Sequence, residues 1–457
     1  MRFIFRFILL ATVTSFVIAS SAHAQQQPLS AKTILEPVVE EYGPKYQDVE
    51  TAIDRLRRGQ VGEARELLRT ASKSNPELPP ADIMLAQILF GLNQLSAGRT
   101  ALEEAARNNP TDPAAYVYLG ELAFQNRRWT EADLLYKKAL ELTKAYTANP
   151  KRKNRLLVNI HGGFGSMAEL RENWAEAKKQ LQALLALDKT NALAMTRLGR
   201  VMFKMSKNRD DENKAYKVFQ ALHKSKPDET ATADVNMGLL YEQAGNRNNA
   251  EAMMKRAAKN DGNNEKTRLA VAKWALDANN LPMAKENAEA AAKIAPDSLD
   301  AKLYIGLIAR FENDLPTAEK AFKQAHLQSP NNLGAMTQLS LVMVDQADEK
   351  KRAEALEYAR LNSRIHSDLS KAAGREAAVT YGWVLSRLGQ NANAVRTVQQ
   401  AMSAGSVSAD SAYHAAQILY DSGQNDAANA ILQKTLASDA MFPNRKAAEQ
   451  LLAKLQN

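Results

Sequence analysis

The stretch "LPTAEKAFKQAHLQSPNN", residues 315–332, decides how this chain folds. It contains the pattern A-x-x-A-F-x-x-A from Ala318 to Ala325, which places three alanines and Phe322 on one face of an α-helix. The helical pattern stops at Pro330, because proline lacks a backbone donor and disfavours a helical residue before it. A catalytic helix, a coiled-coil seam and a repeat unit would each explain the pattern. The spacing in the rest of the chain decides between them.

The same pattern recurs along the 457 residues with a period near 34. Counted from Ala64, the small residue equivalent to Ala318 returns at gaps of 34, 34, 45, 38, 35, 34, 34, 37, 39 and 34 residues. The eleven positions are Ala64, Gly98, Ala132, Ala177, Ala215, Ala250, Ala284, Ala318, Ala355, Ala394 and Ala428. Glycines lie 12 residues before five of them: Gly120, Gly165, Gly238, Gly306 and Gly382. Prolines lie 12 residues after five: Pro76, Pro110, Pro227, Pro296 and Pro330. Each unit is therefore predicted to be a helix, a short turn and a second helix that ends before a proline.

This combination resembles the tetratricopeptide repeat family over roughly residues 45–443. The unit from Leu299 to Asn332 carries the resemblance most clearly, through Gly306, Ala318, Phe322, Ala325 and Pro330. Trp129 and Trp174 add to it, since each lies three residues before a small residue of the series. The resemblance implies an all-α, right-handed superhelical solenoid of about eleven helix-turn-helix repeats. Within a pair, we expect Gly306 and Ala318 to face each other and Phe322 to fill space towards the next pair.

The two ends of the chain depart from the repeat pattern. Residues 1–24 combine a basic start, the apolar run Phe7 to Ala19 and an Ala-His-Ala site, which predicts a signal peptide cleaved after Ala24. Residues 25–44 are predicted to be a flexible segment, and residues 444–457 a C-terminal helix that caps the last repeat. A signal peptide indicates a periplasmic protein with no integral membrane span after cleavage.

No set of residues in the sequence suggests catalysis or a cofactor. The chain has no cysteine, and its histidines show no metal-binding spacing, so we predict neither metal nor cofactor and no enzyme. The run "HGGFGSM", residues 161–167, loosely resembles the oxyanion loop of some esterases. It lacks a nucleophile elbow and a preceding strand, so we interpret it as a glycine-rich first helix that lets its neighbours approach closely.

Two groups of residues are candidates for binding. The resemblance implies a concave face lined by the first helix of each pair, and the candidates there are Arg197, Arg200, Lys273, Tyr304, Arg310, Trp383 and Tyr413. These aromatic and basic side chains suit anionic or extended ligands, although packing between helices would explain the aromatics equally well. The second group is the densest basic cluster, predicted to be a docking loop in an insertion near residues 146–157: Lys151, Arg152, Lys153 and Arg155. A solvated surface loop would also explain this cluster.

The net charge of +9 favours anionic partners without identifying one, and export argues against nucleic acid. From the resemblance we expect a non-catalytic periplasmic scaffold that holds other envelope proteins, with exopolysaccharide synthesis or export as the favoured context. Two alternatives stay open. One is a direct binder of anionic polysaccharide or lipid headgroups, and the other is an assembly factor for pili or outer-membrane proteins.

Overall fold

A computed structural model describes residues 29–456 of the chain. In this range the chain forms α-helices and one 3-10 turn at Pro44–Tyr46, with no strand. The predicted signal peptide lies outside the described residues. No helix in the described range is long and apolar enough to cross a membrane.

The helices up to the middle of the chain are α1 (Ala31–Leu35), α2 (Gln47–Arg57), α3 (Val61–Ser74), α4 (Ala81–Gly91), α5 (Leu95–Asn108), α6 (Pro113–Gln125), α7 (Trp129–Ala145), α8 (Pro150–Leu170), α9 (Trp174–Leu187), α10 (Ala192–Met205), α11 (Arg209–Ser225) and α12 (Ala233–Gln243). The remaining helices are α13 (Arg247–Asn260), α14 (Glu265–Asp277), α15 (Leu281–Ile294), α16 (Leu299–Phe311), α17 (Leu315–Gln328), α18 (Leu333–Val344), α19 (Glu349–Ile365), α20 (Ala372–Arg387), α21 (Asn391–Ala404), α22 (Ala409–Asp421), α23 (Asn425–Leu436) and α24 (Arg445–Gln456).

Helices α2 to α23 form eleven consecutive pairs in the described part of the chain, which confirms the predicted solenoid of helix pairs. The chain divides into two compact units, an N-terminal unit that ends at Asn236 and a C-terminal unit that begins at Met237. Each of the five periodic prolines lies two residues beyond the end of a second helix, as Pro330 does after α17. The last helix, α24, packs against α22 and α23.

Nine of these eleven pairs share one turn geometry. A three-residue connection joins the two helices, and its middle residue has a positive φ, as Gly59 (77°) and Asn313 (59°) do. A left-handed residue at this point ends the first helix and lets the second fold back against it. Glycine and asparagine adopt this conformation at low cost, but Arg127 (58°) and Glu172 (54°) adopt it too.

Two of the periodic glycines, Gly306 and Gly120, face an aromatic ring on the second helix of their own pair. A Cβ atom at Gly306 would lie 2.6 Å from the Phe322 ring, and one at Gly120 would lie 3.0 Å from the Tyr136 ring. Phe322 therefore fills space inside its own pair, whereas the sequence analysis expected it to fill space towards the next pair. Glycine is needed because a ring and a methyl group cannot occupy the same volume where the helices cross.

The segment 25–44, predicted to be flexible, is structured from Leu29 onward. It contains α1, and Leu35 and Val39 are buried at 0% and 1% exposure. The apolar residues of the segment pack against the first repeats, which removes their surface from water. The prediction of flexibility was based on composition and did not anticipate this packing.

The insertion near residues 146–157 is mostly helical. Only residues 146–149 connect α7 to α8, and α8 is 21 residues long because the inserted residues form its first turns. Its N-cap is Asn149, whose side chain accepts a hydrogen bond from the Arg152 N–H, and Pro150 follows at the position where proline is tolerated. The basic cluster is therefore on a helix and not on a loop.

Candidate protein-binding groove

An open pocket of about 320 Å³ lies along three first helices of the N-terminal unit. Helices α6, α8 and α10 supply most of its wall, and α7 and α9 close its floor with Tyr136 and Leu184. The lining residues are Glu121, Phe124, Gln125, Tyr136, Val158, Asn159, Gly162, Gly163, Ser166, Leu184, Asn191, Leu193, Ala194 and Arg197. Of the predicted lining residues, only Arg197 is among them.

The run "HGGFGSM" forms the middle of α8 and one wall of this pocket. A Cβ at Gly163 would lie 2.5 Å from the ring of buried Tyr136, so the glycine permits close approach, as the sequence predicted. The Ser166 hydroxyl donates to the Gly162 carbonyl at 3.0 Å, and His161 Nδ1 lies 2.7 Å from Gln180 Oε1. Ser166 and His161 therefore bond to other groups rather than to each other.

Two predicted residues, Arg197 and Arg200, converge on one carboxylate. Arg197 Nε lies 2.7 Å from Glu169 Oε1, and Arg200 Nη2 lies 2.6 Å from Glu169 Oε2. Arg197 also donates to Ser166 Oγ at 2.9 Å, which ties it to α8. Two guanidinium groups on one carboxylate leave a net positive charge, and the Arg200 side chain is 45% exposed. This margin of the groove can therefore accept an additional anionic or carbonyl group.

A half-buried carboxylate lines the same pocket. Glu121 Oε1 accepts a hydrogen bond from Asn159 Nδ2 at 2.9 Å. Partial burial raises the pKa of Glu121, while this hydrogen bond and the charge of Arg155 act in the opposite direction. A carboxylate that has lost part of its water is a good acceptor for an N–H group of a ligand. The sequence analysis did not identify Glu121. The position of Glu121 directly after Gly120, one of the periodic glycines, could have located it on a first helix.

The groove therefore offers donors, an acceptor and apolar surface side by side. Leu193 adds an apolar side chain that is 69% exposed at the pocket margin. An extended polypeptide presents alternating N–H, C=O and apolar groups, which is the chemistry that such a surface complements.

The predicted basic docking cluster is largely engaged within the chain. Arg152 is buried and binds Asp112 through two contacts of 2.7 and 2.8 Å, and it donates to Tyr146 Oη at 2.7 Å. Burial alone would lower the pKa of Arg152, but the Asp112 carboxylate outweighs this and raises it. Lys151 Nζ donates to the Val39 carbonyl at 2.5 Å. Of the four residues, Arg155 is exposed and Lys153 is half-buried, so internal contacts contradict the predicted docking role only for Lys151 and Arg152.

Three predicted lining residues of the C-terminal unit are buried: Tyr304, Arg310 and Trp383. Arg310 Nη1 lies 3.0 Å from Asp410 Oδ2 and also donates to Gln338. Trp383 Nε1 donates to Asp345 Oδ1 at 3.2 Å. These contacts join helices of different repeats, so the predicted lining is wrong for these three residues.

The other two predicted residues of this unit are partly accessible. Tyr413 is half-buried with its ring 6.5 Å from Trp383, and burial raises the pKa of its hydroxyl. Lys273 pairs with Asp277 on its own helix at 2.7 Å. Neither residue is among those that line the pocket of the N-terminal unit.

Comparison with known proteins agrees with the helix-pair architecture. Residues 83–150 and residues 235–264 each match a tetratricopeptide repeat family model. These two segments together support a protein built from tetratricopeptide repeats. Among solved structures, a thermophilic repeat protein of this family from Thermus thermophilus is 18% identical over 42% of this chain and 99% of its own, with a TM-score of 0.36. No curated protein matches the chain.

Repeats of this family indicate a scaffold for protein–protein interaction. The match to residues 83–150 covers α6 and α7, which contribute Glu121 and Tyr136 to the pocket. The groove thus lies partly within a segment that carries the family pattern.

Proposed function

We propose that the chain is a non-catalytic periplasmic scaffold whose N-terminal unit binds an extended segment of a partner protein along α6, α8 and α10. The open pocket beside Glu121 and Arg197 carries this proposal, because it places an acceptor, a donor and exposed Leu193 in one groove. A ligand backbone would donate to Glu121 and accept from the arginine margin, while an apolar side chain would cover Leu193.

The setting we propose is the cell envelope. Residues 1–24 have the composition of a signal peptide, and the chain has no cysteine that an oxidising compartment could cross-link. By analogy with exported proteins of similar build, we favour partners in exopolysaccharide synthesis or export over those in pilus or outer-membrane protein assembly.

Direct binding of polysaccharide or lipid headgroups has less support than protein binding. Its two supporting features were the basic cluster and the aromatic residues of the first helices. Arg152 and Trp383 make buried internal contacts, so neither presents a free surface to a glycan or a headgroup.

Site-specific photo-crosslinking tests the groove with a matched control. A photoreactive amino acid replaces Leu193 in the groove or Leu134 on second helix α7, since these side chains are 69% and 68% exposed. In cells of the native host, we expect discrete protein adducts from position 193 that are absent from position 134. The adducts should weaken when Glu121→Gln and Arg200→Ala are introduced together. Equal adducts at both positions, or none at position 193, would exclude this groove as the binding surface.

The compartment is tested separately. The mass of the mature protein purified from an osmotic-shock fraction should correspond to a chain that begins at Gln25. Recovery of the full-length chain with cytoplasmic marker enzymes would refute export without affecting the crosslinking result.

A further inference from the structure

The turns inside four consecutive helix pairs lie along one edge of the N-terminal unit. Each of these turns runs from the last residue of a first helix, through three connecting residues, to the first residue of a second helix. Consecutive pairs pack on each other through α3 and α4, α5 and α6, and α7 and α8, so their turns come to lie side by side. We call this surface the N-terminal turn edge, and it consists of residues 57–61, 91–95, 125–129 and 170–174.

The N-terminal turn edge is basic. It has a net charge of +4, from five arginines and one glutamate: Arg57, Arg58, Arg127, Arg128, Arg171 and Glu172. The five turns of the same geometry in the C-terminal unit have a net charge of −2, from two arginines and four acidic residues. Because the same turn geometry forms with either charge, the fold itself does not require the arginines.

Three of these arginines are available to an external anion. Arg58, Arg127 and Arg171 are exposed, and within the described part of the chain their side chains make no ion pair or hydrogen bond. They belong to three different turns. The other two are engaged, since Arg57 pairs with Asp54 at 2.9 Å and Arg128 pairs with Glu131 at 2.7 Å.

Each turn of this edge also exposes one large apolar side chain. The exposed fractions are 43%, 61%, 37% and 60% for Val61, Leu95, Trp129 and Leu170. In the five turns of the C-terminal unit, all of which the structure describes, no large apolar side chain is exposed. Exposed apolar side chains that recur along one edge indicate an interaction surface.

Two neighbouring turns bring apolar and basic groups together. Trp129 of one turn and Leu170 and Arg171 of the next line an open depression of about 190 Å³, together with Met167. The Trp129 ring packs edge-on against Phe124, with 5.1 Å between the ring centroids. An indole ring, an aliphatic side chain and an unpaired guanidinium group therefore share one small surface.

We propose that the N-terminal turn edge binds the surface of a membrane that contains anionic lipids. The unpaired arginines contact the lipid phosphate groups, and the exposed apolar side chains enter the outer part of the acyl layer. Tryptophan is favoured at this boundary between water and hydrocarbon. The inference goes beyond the proposed scaffold function, because it holds the scaffold at a lipid surface through residues that do not line the pocket beside Glu121.

A lipid surface suits this edge better than an acidic protein does. The apolar side chains come from separate turns, one repeat apart, and are not gathered in a single groove. Lipid molecules rearrange around each side chain independently, whereas a protein would need a row of pockets at the same spacing. Arginine next to tryptophan or leucine is also the combination by which amphipathic helices lie in the membrane interface.

Vesicle sedimentation tests the role of the arginines. The full-length chain and two variants are mixed with vesicles of phosphatidylglycerol and phosphatidylethanolamine. The edge variant carries Arg58→Gln, Arg127→Gln and Arg171→Gln. The control variant removes three other exposed charges of the same unit by Lys138→Gln, Lys144→Gln and Lys217→Gln. Relative to the unsubstituted chain, partitioning should fall at least tenfold in the edge variant and by about twofold or less in the control variant.

Lipids with brominated acyl chains test insertion without a change of charge, because bromine quenches the fluorescence of tryptophans that reach the acyl layer. Trp129→Phe should remove most of the quenching seen in the unsubstituted chain. Trp274→Phe should leave it unchanged, since Trp274 is buried at 5% exposure.

The inference is wrong if the unsubstituted chain does not bind the vesicles, or if the edge and control variants bind them equally. It is also wrong if Trp129→Phe leaves the quenching unchanged. None of these measurements involves a protein partner. A failure here is therefore distinguishable from a failure of crosslinking at position 193.

Discussion

Polar side chains of first helices join a buried network in the C-terminal unit, and in the N-terminal unit several of them line an open pocket. In the C-terminal unit, Arg310 of α16 bonds to Asp410 of α22 across 100 residues of sequence. In the N-terminal unit, Arg200 and Glu121 remain partly accessible beside an open pocket. The repeat therefore fixes the fold in both units, and the side chains that project from the first helices decide which surface remains available.

The buried network of the C-terminal unit extends over several side chains. Asp410 Oδ1 accepts from Asn444 Nδ2 at 3.0 Å, and the His414 ring lies 4.6 Å from the Trp383 ring. Burial would raise the pKa of Asp410, but the charge of Arg310 outweighs it and lowers the pKa below its usual value. These contacts connect α16, α20, α22 and the start of α24, so they serve the stability of the unit.

The largest effect is expected when this network loses its cation. Arg310→Ala leaves Asp410 buried without its charge partner, which should lower the free energy of unfolding by about 3–5 kcal/mol. Urea unfolding followed by tryptophan fluorescence would measure it. Arg387→Ala is the matched control, because that side chain is 44% exposed and its pairing with Asp345 should contribute about 1 kcal/mol or less. Similar losses of unfolding free energy in the two variants would refute the proposal that Arg310 stabilises the unit by pairing with buried Asp410.

Substituting two adjacent glycines of the N-terminal unit should give the next largest change in the free energy of unfolding. Gly163→Ala would place a methyl group 2.5 Å from the buried Tyr136 ring and should cost about 1–3 kcal/mol. Gly162→Ala meets only Leu184 Cδ1 at 3.6 Å and should stabilise α8 by about 0.5–1 kcal/mol. Thermal unfolding of the two variants would compare them. Equal stability would mean that the wall of the pocket is not packed on Tyr136.

A pH effect of intermediate size should arise in the C-terminal unit. Burial lowers the pKa of His414, and although Asp410 and Asp345 act to raise it, Arg310 adds to the decrease. Below about pH 6.5, the ordinary pKa of histidine, the unfolded chain then binds more protons than the folded one. Stability should therefore fall as the pH drops from about 7 to about 5, by up to about 1.4 kcal/mol per pH unit for this residue.

Unfolding at several pH values across this window would measure the slope, and His414→Gln should reduce it. His326 contributes in the same direction, because burial also lowers its pKa, so part of the slope should remain. A slope unchanged in the His414→Gln variant would show that His414 binds protons equally in the folded and the unfolded chain, which contradicts a lowered pKa.

The sequence predicted the repeated elements and missed the interactions that depend on distant residues. The periodic small residues and prolines predicted eleven helix pairs, because each pair is built from contacts within about 34 residues. Burial of Arg310 depends on Asp410, and the order of residues 29–39 depends on Asn149, at separations that no local pattern encodes. Arg197 was located correctly on a first helix, but its partner Glu169 was not recognised.

The turn residues differ between the two units, and substituting them should give the smallest of the predicted changes in stability. In the C-terminal unit, the positive-φ residue of a turn is glycine or asparagine, as in Gly389 and Asn279. The pairs that line the pocket instead use Arg127 and Glu172, for which this conformation is strained. Glu172→Gly should raise the free energy of unfolding by about 0.5–1 kcal/mol, because glycine adopts a positive φ without a steric clash. Gly389→Glu, the reverse change in the other unit, should lower it by a similar amount in urea unfolding. If Glu172→Gly lowers the free energy of unfolding instead, the Glu172 side chain stabilises the fold by more than its strained backbone conformation destabilises it.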